Sequence, residues 1–230
     1  MGNVESESGQ LFRIETEALV LRPFELGDAA TAYDLSNERA SRQWLPSQVF
    51  ADEVEARGVL KFLIDQFAAP ADPRHGPYVL AVDHRSDGTL IGHVGLSPCE
   101  GDVEIGFAVA EAYQRQGLAV EAVIAACRWA FGRFGLPRIL AIAAQSNQGS
   151  RKVLARAGFE HQVDRVMCFQ ATEQAVSVYY LSGPEAETRG GPYRLTSGSS
   201  RRIASVTLVA GQPGRQRRPR LNRNNVRRAA

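Results

Sequence analysis

The segment Gln114-Arg115-Gln116-Gly117-Leu118-Ala119 is where residue type and spacing most directly suggest chemistry. It follows the strand-like run Ile105-Gly106-Phe107-Ala108-Val109 and leads into a long amphipathic stretch. A strand, a small-residue loop and a helix N-terminus together form an anion cradle, because main-chain N–H groups point outward there and the helix dipole favours negative charge. Gly117 lets a phosphate approach the backbone, Ala119 keeps the first turn narrow, and Gln114 and Arg115 add side-chain donors. The ligand this predicts is a pyrophosphate. A nucleotide P-loop would need Lys and then Ser or Thr after its last Gly, where this chain has Leu118-Ala119. A dinucleotide fingerprint needs a further Gly three residues on and a parallel βαβ unit around it, whereas three antiparallel-looking strands come first here. Read alone, the loop is equally compatible with a tight strand-to-helix turn that holds nothing.

The elements that must position this loop can be read from periodicity. Glu17 to Arg22 reads as a strand closed by Pro23, and Asp28 as the cap of a helix over Ala29 to Asn37. Trp44-Leu45-Pro46 breaks the pattern, and Asp52 to Phe67 is a second amphipathic helix. Three strands follow, at Tyr78 to Asp83, Thr89 to Leu96 and Val103 to Val109, with a hairpin turn at Ser86-Asp87-Gly88. The helix after the loop runs from Gly117 to Phe134, with Ala119, Val123, Ala126, Cys127, Ala130 and Phe134 on its buried face, and Gly135-Leu136-Pro137 stops it. Arg138 to Ala144 is nearly all apolar, as a strand covered on both faces would be. A short helix over Gln148 to Arg156 and strands over Phe159 to Phe169 and Ala175 to Leu181 complete the pattern.

Length and composition bound the rest. The 230 residues, 44% hydrophobic and 23% charged, suit one soluble domain. No apolar run is long enough to span a bilayer, and the first ten residues are polar, so neither membrane anchor nor signal peptide is expected. The domain is expected over 15–183, behind a flexible leader at 1–14 and ahead of a disordered basic tail at 184–230. That tail holds eleven arginines and no lysine against Glu185 and Glu187, so the remainder is acidic although the net charge of the whole is +2. Three isolated cysteines, Cys99, Cys127 and Cys168, fit a reducing compartment, the cytoplasm, and small buried side chains rather than nucleophiles. His75, His84, His93 and His161 have no metal-ligand spacing, so no metal is expected.

Several of these motifs, taken in order, resemble the GNAT superfamily of N-acetyltransferases over about residues 15 to 182. Gln114, Gly117 and Ala119 match its Gln/Arg-x-x-Gly-x-Gly/Ala signature, and Asn147 through Gly158-Phe159 is similar to its second signature. Leu19-Val20-Leu21-Arg22-Pro23-Phe24, Asp28, Trp44-Leu45-Pro46, Glu104-Ile105-Gly106-Phe107 and Glu121-Ala122 resemble the branch of the ribosomal-protein N-terminal (alanine/serine) acetyltransferases. The resemblance implies an α/β (α+β) fold with a mixed, mostly antiparallel sheet of about six to seven strands and helices on both faces. It implies acetyl-CoA as co-substrate, held by Gln114 to Ala119, with its pantetheine arm along Phe107, Ala108 and Val109, and with Asn147 and Arg151 as further contacts. A backbone N–H near Val109 would meet the oxyanion. The acetyl acceptor is a primary amine, either a protein N-terminus or a small molecule such as an antibiotic or polyamine.

For that reaction Glu104 is the expected base, directly or through water, with a salt-bridged strand carboxylate as the alternative. The Tyr that many family members use as thiolate acid is replaced by Leu154, and Ser150 matches the donor suggested for the branch, with an ordinary helix-start role as the alternative. Asn147 is alternatively a turn residue or cap. Glu121 lies one turn past Gly117 and is assigned no catalysis. Trp44, His93 and the loop Ala68 to Pro77 are expected around the acceptor. The missing Tyr also allows a non-catalytic acyl-CoA sensor, and nucleic-acid binding is expected only through the tail. A monomer or a homodimer is expected.

Overall fold

The computed structural model describes residues 12–68 and 72–184. The leader before Phe12 and the tail from 185 onward, including the disorder expected there, lie outside the described residues. The strands are β1 (Ile14–Glu15), β2 (Leu19–Pro23), β3 (Tyr78–His84), β4 (Leu90–Cys99), β5 (Asp102–Val109), β6 (Arg138–Ala144), β7 (Glu160–Phe169) and β8 (Thr172–Ser182). The helices are α1 (Ala29–Asn37), α2 (Arg39–Trp44), α3 (Glu53–Ala68), α4 (Leu118–Phe134) and α5 (Gln148–Arg156). The eight strands of the described residues form one sheet in the order β1-β2-β3-β4-β5-β6-β8-β7. Every neighbouring pair is antiparallel except β5 and β6, which are parallel. The sheet thus exceeds the six to seven strands expected.

One added strand comes from the stretch read as leader. Ile14 pairs with Leu21, and the Phe12 ring lies 5.2 Å from both Phe67 and Trp129. Phe12 and Ile14, read as leader, are thus packed onto the domain, Phe12 against Phe67 of α3 and Trp129 of α4 and Ile14 against the same core. Asp28 corrects another expectation: its side chain makes no cap bond to α1. Instead it takes two hydrogen bonds from Arg22, at 2.8 and 2.9 Å, and one from the Glu25 N–H. Arg22 also donates to Asp83, and chiefly the bond to Asp28 pushes its pKa upward. This half-buried cluster fixes the start of α1 against β2 and β3. The helix α2 was not foreseen, since six residues carry too little periodicity to announce one.

Two apolar layers sandwich the sheet. Ala122, Val123, Ala126, Cys127 and Ala130 of α4 pack with Ile91, Val94, Leu96 and Ile105, and their small side chains bring helix and sheet close. On the other face Ala56, Val59, Leu60 and Leu63 of α3 pack with Ala29, Val79 and Ala81. Gly135 ends α4 at φ 58, with its N–H on the Phe131 carbonyl. No described helix is long and apolar enough to cross a membrane.

The feature that matters for function is a break in pairing. β4 and β5 stay in register from Gly92↔Val109 to Cys99↔Asp102. β5 and β6 pair only at Glu104↔Leu140. Beyond that bridge the two strands diverge, and the sheet opens into a V with Glu104 at its vertex.

Candidate functional site

A cavity of about 720 Å³ fills this V, lined by Glu104 through Val109 on one side and Ala141 through Ala144 on the other. Hydrogen-bond alternation tells which groups of β5 face it. The Ala110 N–H donates to the Ile91 carbonyl of β4 at 2.7 Å. In an antiparallel pair every second residue bonds the same neighbour. Ala108, Gly106 and Glu104 therefore also turn their main-chain groups to β4, while Phe107 and Val109 turn theirs to the gap. The Gln114 side chain takes up the Val109 carbonyl at 3.0 Å, and the Val109 N–H is left facing the opening.

The loop that closes the top of the V has the conformation an anion cradle needs. Arg115 has φ 62 and Gly117 φ 89, both in the left-handed region. A Cβ added at Gly117 would meet nothing within 4 Å, so glycine is required by backbone angle and the space before it is open. The N–H groups of Leu118, Ala119 and Val120 begin α4, have no carbonyl one turn behind them, and line the cavity. Arg115, Lys152 and Arg156 line it too. Gln116 does not: its amide donates to the Ala112 carbonyl at 3.2 Å. The donor set, a left-handed glycine and three cations around one mouth fits a diphosphate.

Arg151, expected beside the cofactor, is placed elsewhere. Its guanidinium donates to the Tyr179 hydroxyl at 3.1 Å and the Gln145 carbonyl at 3.2 Å, on the far side of α5. Lys152 and Arg156, one helical turn apart, occupy the cavity side instead; the i, i+4 spacing of basic residues was the available signal. Asn147 caps α5, accepting the Ser150 N–H at 3.0 Å, and its amide nitrogen makes no protein bond among the described residues. Ser150 lines the cavity, and its hydroxyl likewise has no protein partner among the described residues. Leu154, at the position of the missing Tyr, is 0% exposed. Glu121 accepts the Ala18 N–H at 2.8 Å, tying the residue before β2 to α4.

The floor of the cavity is the face shared by His93, Gly95 and Ser97 of β4 and by Ala108, Gly106 and Glu104 of β5. Desolvation pushes the Glu104 carboxyl up to about 7, against the opposing pull of the Cys99 thiol that bonds to it. Burial likewise brings His93 down to about 4, so its ring is neutral at physiological pH.

Trp44 and Ser41 form one wall, carried by α2. That helix is held over the site by a reciprocal tie: Glu111 accepts the Ala40 N–H at 2.6 Å, and the Glu111 N–H donates to Glu38 at 2.9 Å. Of the loop expected to join Trp44, residues 69–71 lie outside the described residues, and residues 72–77 are absent from the cavity lining. The loop leads into Tyr78, whose ring lies 4.6 Å from Phe67 and 5.0 Å from Trp129, at the end of the sheet where α4 finishes. The remaining wall was not foreseen. Ser47 hydrogen-bonds Gln170, 123 residues away at the β7–β8 hairpin, and Gln48 and Gln170 both line the cavity. Ser97 could have been found by counting two and four residues on from His93. Gln48 and Gln170 had no signal in sequence.

Comparison with known proteins gives this arrangement a context. A family model described as an acetyltransferase (GNAT) domain matches residues 18–160. The N-acetyltransferase YnaD of Bacillus subtilis (strain 168), itself uncharacterized, is 27% identical over 176 residues, covering 76% of this chain and 98% of YnaD. The ribosomal-protein-S5-alanine acetyltransferase of Vibrio fischeri superposes with a TM-score of 0.63 at 20% identity, covering 76% of this chain and 98% of its own. The ribosomal L7/L12 α-N-protein acetyltransferase RimL, solved in complex with coenzyme A, superposes with a TM-score of 0.64 at 17% identity, covering 74% and 98%. At such identities the superpositions speak to fold alone.

Proposed function

The chain belongs to the GNAT acetyltransferase family, and from that premise we propose that its acceptor is the free α-amino group of a polypeptide. Membership makes it an enzyme that transfers an acetyl group from acetyl-CoA to a primary amine. The observation that carries the finer reading is the charge of the acceptor half of the cavity. Among the described lining residues Glu104 is the sole carboxylate, and Trp44, Gln48, His93, Ser97 and Gln170 around it are neutral. A polyamine would bring a second ammonium into this half with no carboxylate to meet it, a burial that costs heavily. An α-amine brings one charge, and that charge is lost in the reaction.

The protonation levels match. An α-amine has a reference pKa of about 8, against about 10.4 for lysine. A base near 7 at the vertex of the V is suited to the first. When bound, acetyl-CoA supplies the thioester. Glu104 takes the proton from the amine, directly or through water. The N–H of Val109, turned to the gap, would donate to the charge that develops on the acetyl oxygen. The neutral amine would attack the thioester carbonyl, an N–C bond forming as the C–S bond breaks, and the Ser150 hydroxyl, which lines the cavity, would relay a proton from water to the departing sulfur. The amide nitrogen of Asn147, the loop from Gln114 to Ala119, and the pair Lys152 and Arg156 hold the carrier. The free thiols of Cys99, Cys127 and Cys168 support a cytoplasmic setting.

The test is a panel of acceptors with acetyl-CoA in excess, read as free thiol released. Peptides beginning Ala, Ser or Thr are expected to be turned over with higher kcat/KM than spermidine or an aminoglycoside. Faster reaction of the polycations would overturn the reading.

A further inference from the structure

The carboxamide oxygen of Gln48 is buried and accepts no hydrogen bond among the described residues. Such a group is costly to leave unpaired, and its persistence at a cavity wall points to a partner that arrives with the ligand. Gln48 lines the large cavity and also a second, apolar one of about 60 Å³ that lies behind it, against α1 and α3. It thus stands in the wall of the acceptor half, beside Trp44 and Gln170.

Its neighbour Ser47 hydrogen-bonds the carboxamide oxygen of Gln170. That contact joins the α2–α3 connection to the β7–β8 hairpin across the mouth. Gln170 is 6% exposed, and its amide nitrogen makes no protein bond among the described residues. Gln170 and Ala171 both have positive φ, 52 and 62, although neither is glycine. The other hairpin of this kind, Glu100-Gly101, places glycine at its second position. The β7–β8 turn is therefore a strained one whose side chain is held inward. Strain of this sort is a feature of sites where a side chain must be held in place.

We propose that Gln48 and Gln170 read the first peptide group of the acceptor, with the Gln48 oxygen accepting its N–H and the Gln170 amide donating to its carbonyl. A free acceptor oxygen and a free donor nitrogen on two segments locked together by Ser47 are the complement of one secondary amide. This rests on the polypeptide-acceptor reading and adds the residues that would enforce it. The two glutamines are specificity-determining residues and take no part in proton transfer.

The experiment compares a short peptide with its depsipeptide, in which an ester oxygen replaces the first peptide N–H. Both are assayed on the native enzyme and on Gln48→Met, which keeps length and removes the carboxamide. The native enzyme should prefer the peptide by about tenfold in kcat/KM, and the variant should lose that preference. Acetyl-CoA affinity should be unchanged, and the melting temperature of the ligand-free variant should not fall, because an unpaired buried group has been removed. A preference that survives in Gln48→Met, or that the native enzyme lacks, overturns the inference while leaving the polypeptide reading intact. A variant that melts several degrees lower and loses acetyl-CoA affinity also overturns it, by making Gln48 structural. A native enzyme that acetylates amines but no peptide rejects both readings together.

Discussion

In the half of the cavity that faces α4, the groups offered to a ligand are mostly main-chain: the N–H groups at the start of the helix, the gap-facing edge of β5, and a loop shaped by left-handed Arg115 and Gly117. In the half that faces α1 to α3, they are side chains drawn from α2, the α2–α3 connection, β4, β5 and the β7–β8 hairpin. The difference teaches how one scaffold can keep a carrier and vary an acceptor. Main-chain donors depend on backbone shape, which many side chains preserve. Side-chain donors change with every substitution. Glu104, at the last residue where β5 touches β6, belongs to both halves.

The comparison can be broken most forcefully at Gly117. In Gly117→Glu a side chain must adopt φ 89, a cost of about 1–2 kcal/mol, and a carboxylate enters the space meant for a diphosphate. Acetyl-CoA affinity by calorimetry should fall on the order of a thousandfold. Gln116→Ala, one residue earlier, should change it by less than about threefold, since that side chain serves Ala112. Equal effects at the two positions would show that the cradle is not made of backbone.

A second test reads the cost of the acceptor half in stability. The Glu104 carboxyl is raised from 4.5 to about 7 in the folded protein, so folding is favoured while it stays neutral. That contribution is complete below about 4.5 and is lost as pH rises to about 7. Glu104→Gln should therefore melt with the native protein near pH 4 and melt higher above pH 7. The gain should be up to about 3 kcal/mol. A variant less stable than the native protein at pH 8 would mean that the carboxylate is structurally paired.

Ser150 sharpens the boundary between the halves. Ser150→Ala keeps the backbone N–H that Asn147 receives, so acetyl-CoA affinity should hold while turnover drops about tenfold or more. Unchanged turnover would reduce Ser150 to a helix-start residue. The smallest effect is expected at the rim. Lys152→Ala or Arg156→Ala should each weaken acetyl-CoA by about threefold at low salt, an effect that fades at high ionic strength. A larger, salt-independent loss would place these side chains in direct contact with the reacting part of the carrier.

The same contrast explains what could be read from the sequence. The loop and its helix were legible because backbone conformation leaves local marks, a glycine at the turn and apolar residues at helical spacing. Glu104 was legible as a carboxylate on the strand before that loop, and it lies at the β5–β6 bridge in the cavity wall. Asn147 was legible as either ligand contact or cap, and its oxygen proves to be a cap. Arg151 was misplaced by one residue on α5, since a helix turned by about 100° per residue separates the cavity side from the β8 side. Gln48 and Gln170 were invisible: a contact between residues this far apart leaves no periodic trace. The loop before Tyr78 is assigned to the acceptor by chain order alone; its described residues 72–77 do not line the cavity, and the Tyr78 ring they lead into packs against Phe67 and Trp129 on the α4-side core.

The most direct measurement is the pH dependence of kcat/KM for an N-terminal peptide, with and without Glu104. The native enzyme should lose activity on acidification with a midpoint near 7, set by the vertex carboxyl. In Glu104→Gln the rate should fall by about a hundredfold, and the remaining limb should move to about 8, where the peptide amine itself titrates. If the variant keeps the native midpoint and most of the native rate, the carboxylate at the opening of the sheet is not the base and the chemistry lies elsewhere in the cavity.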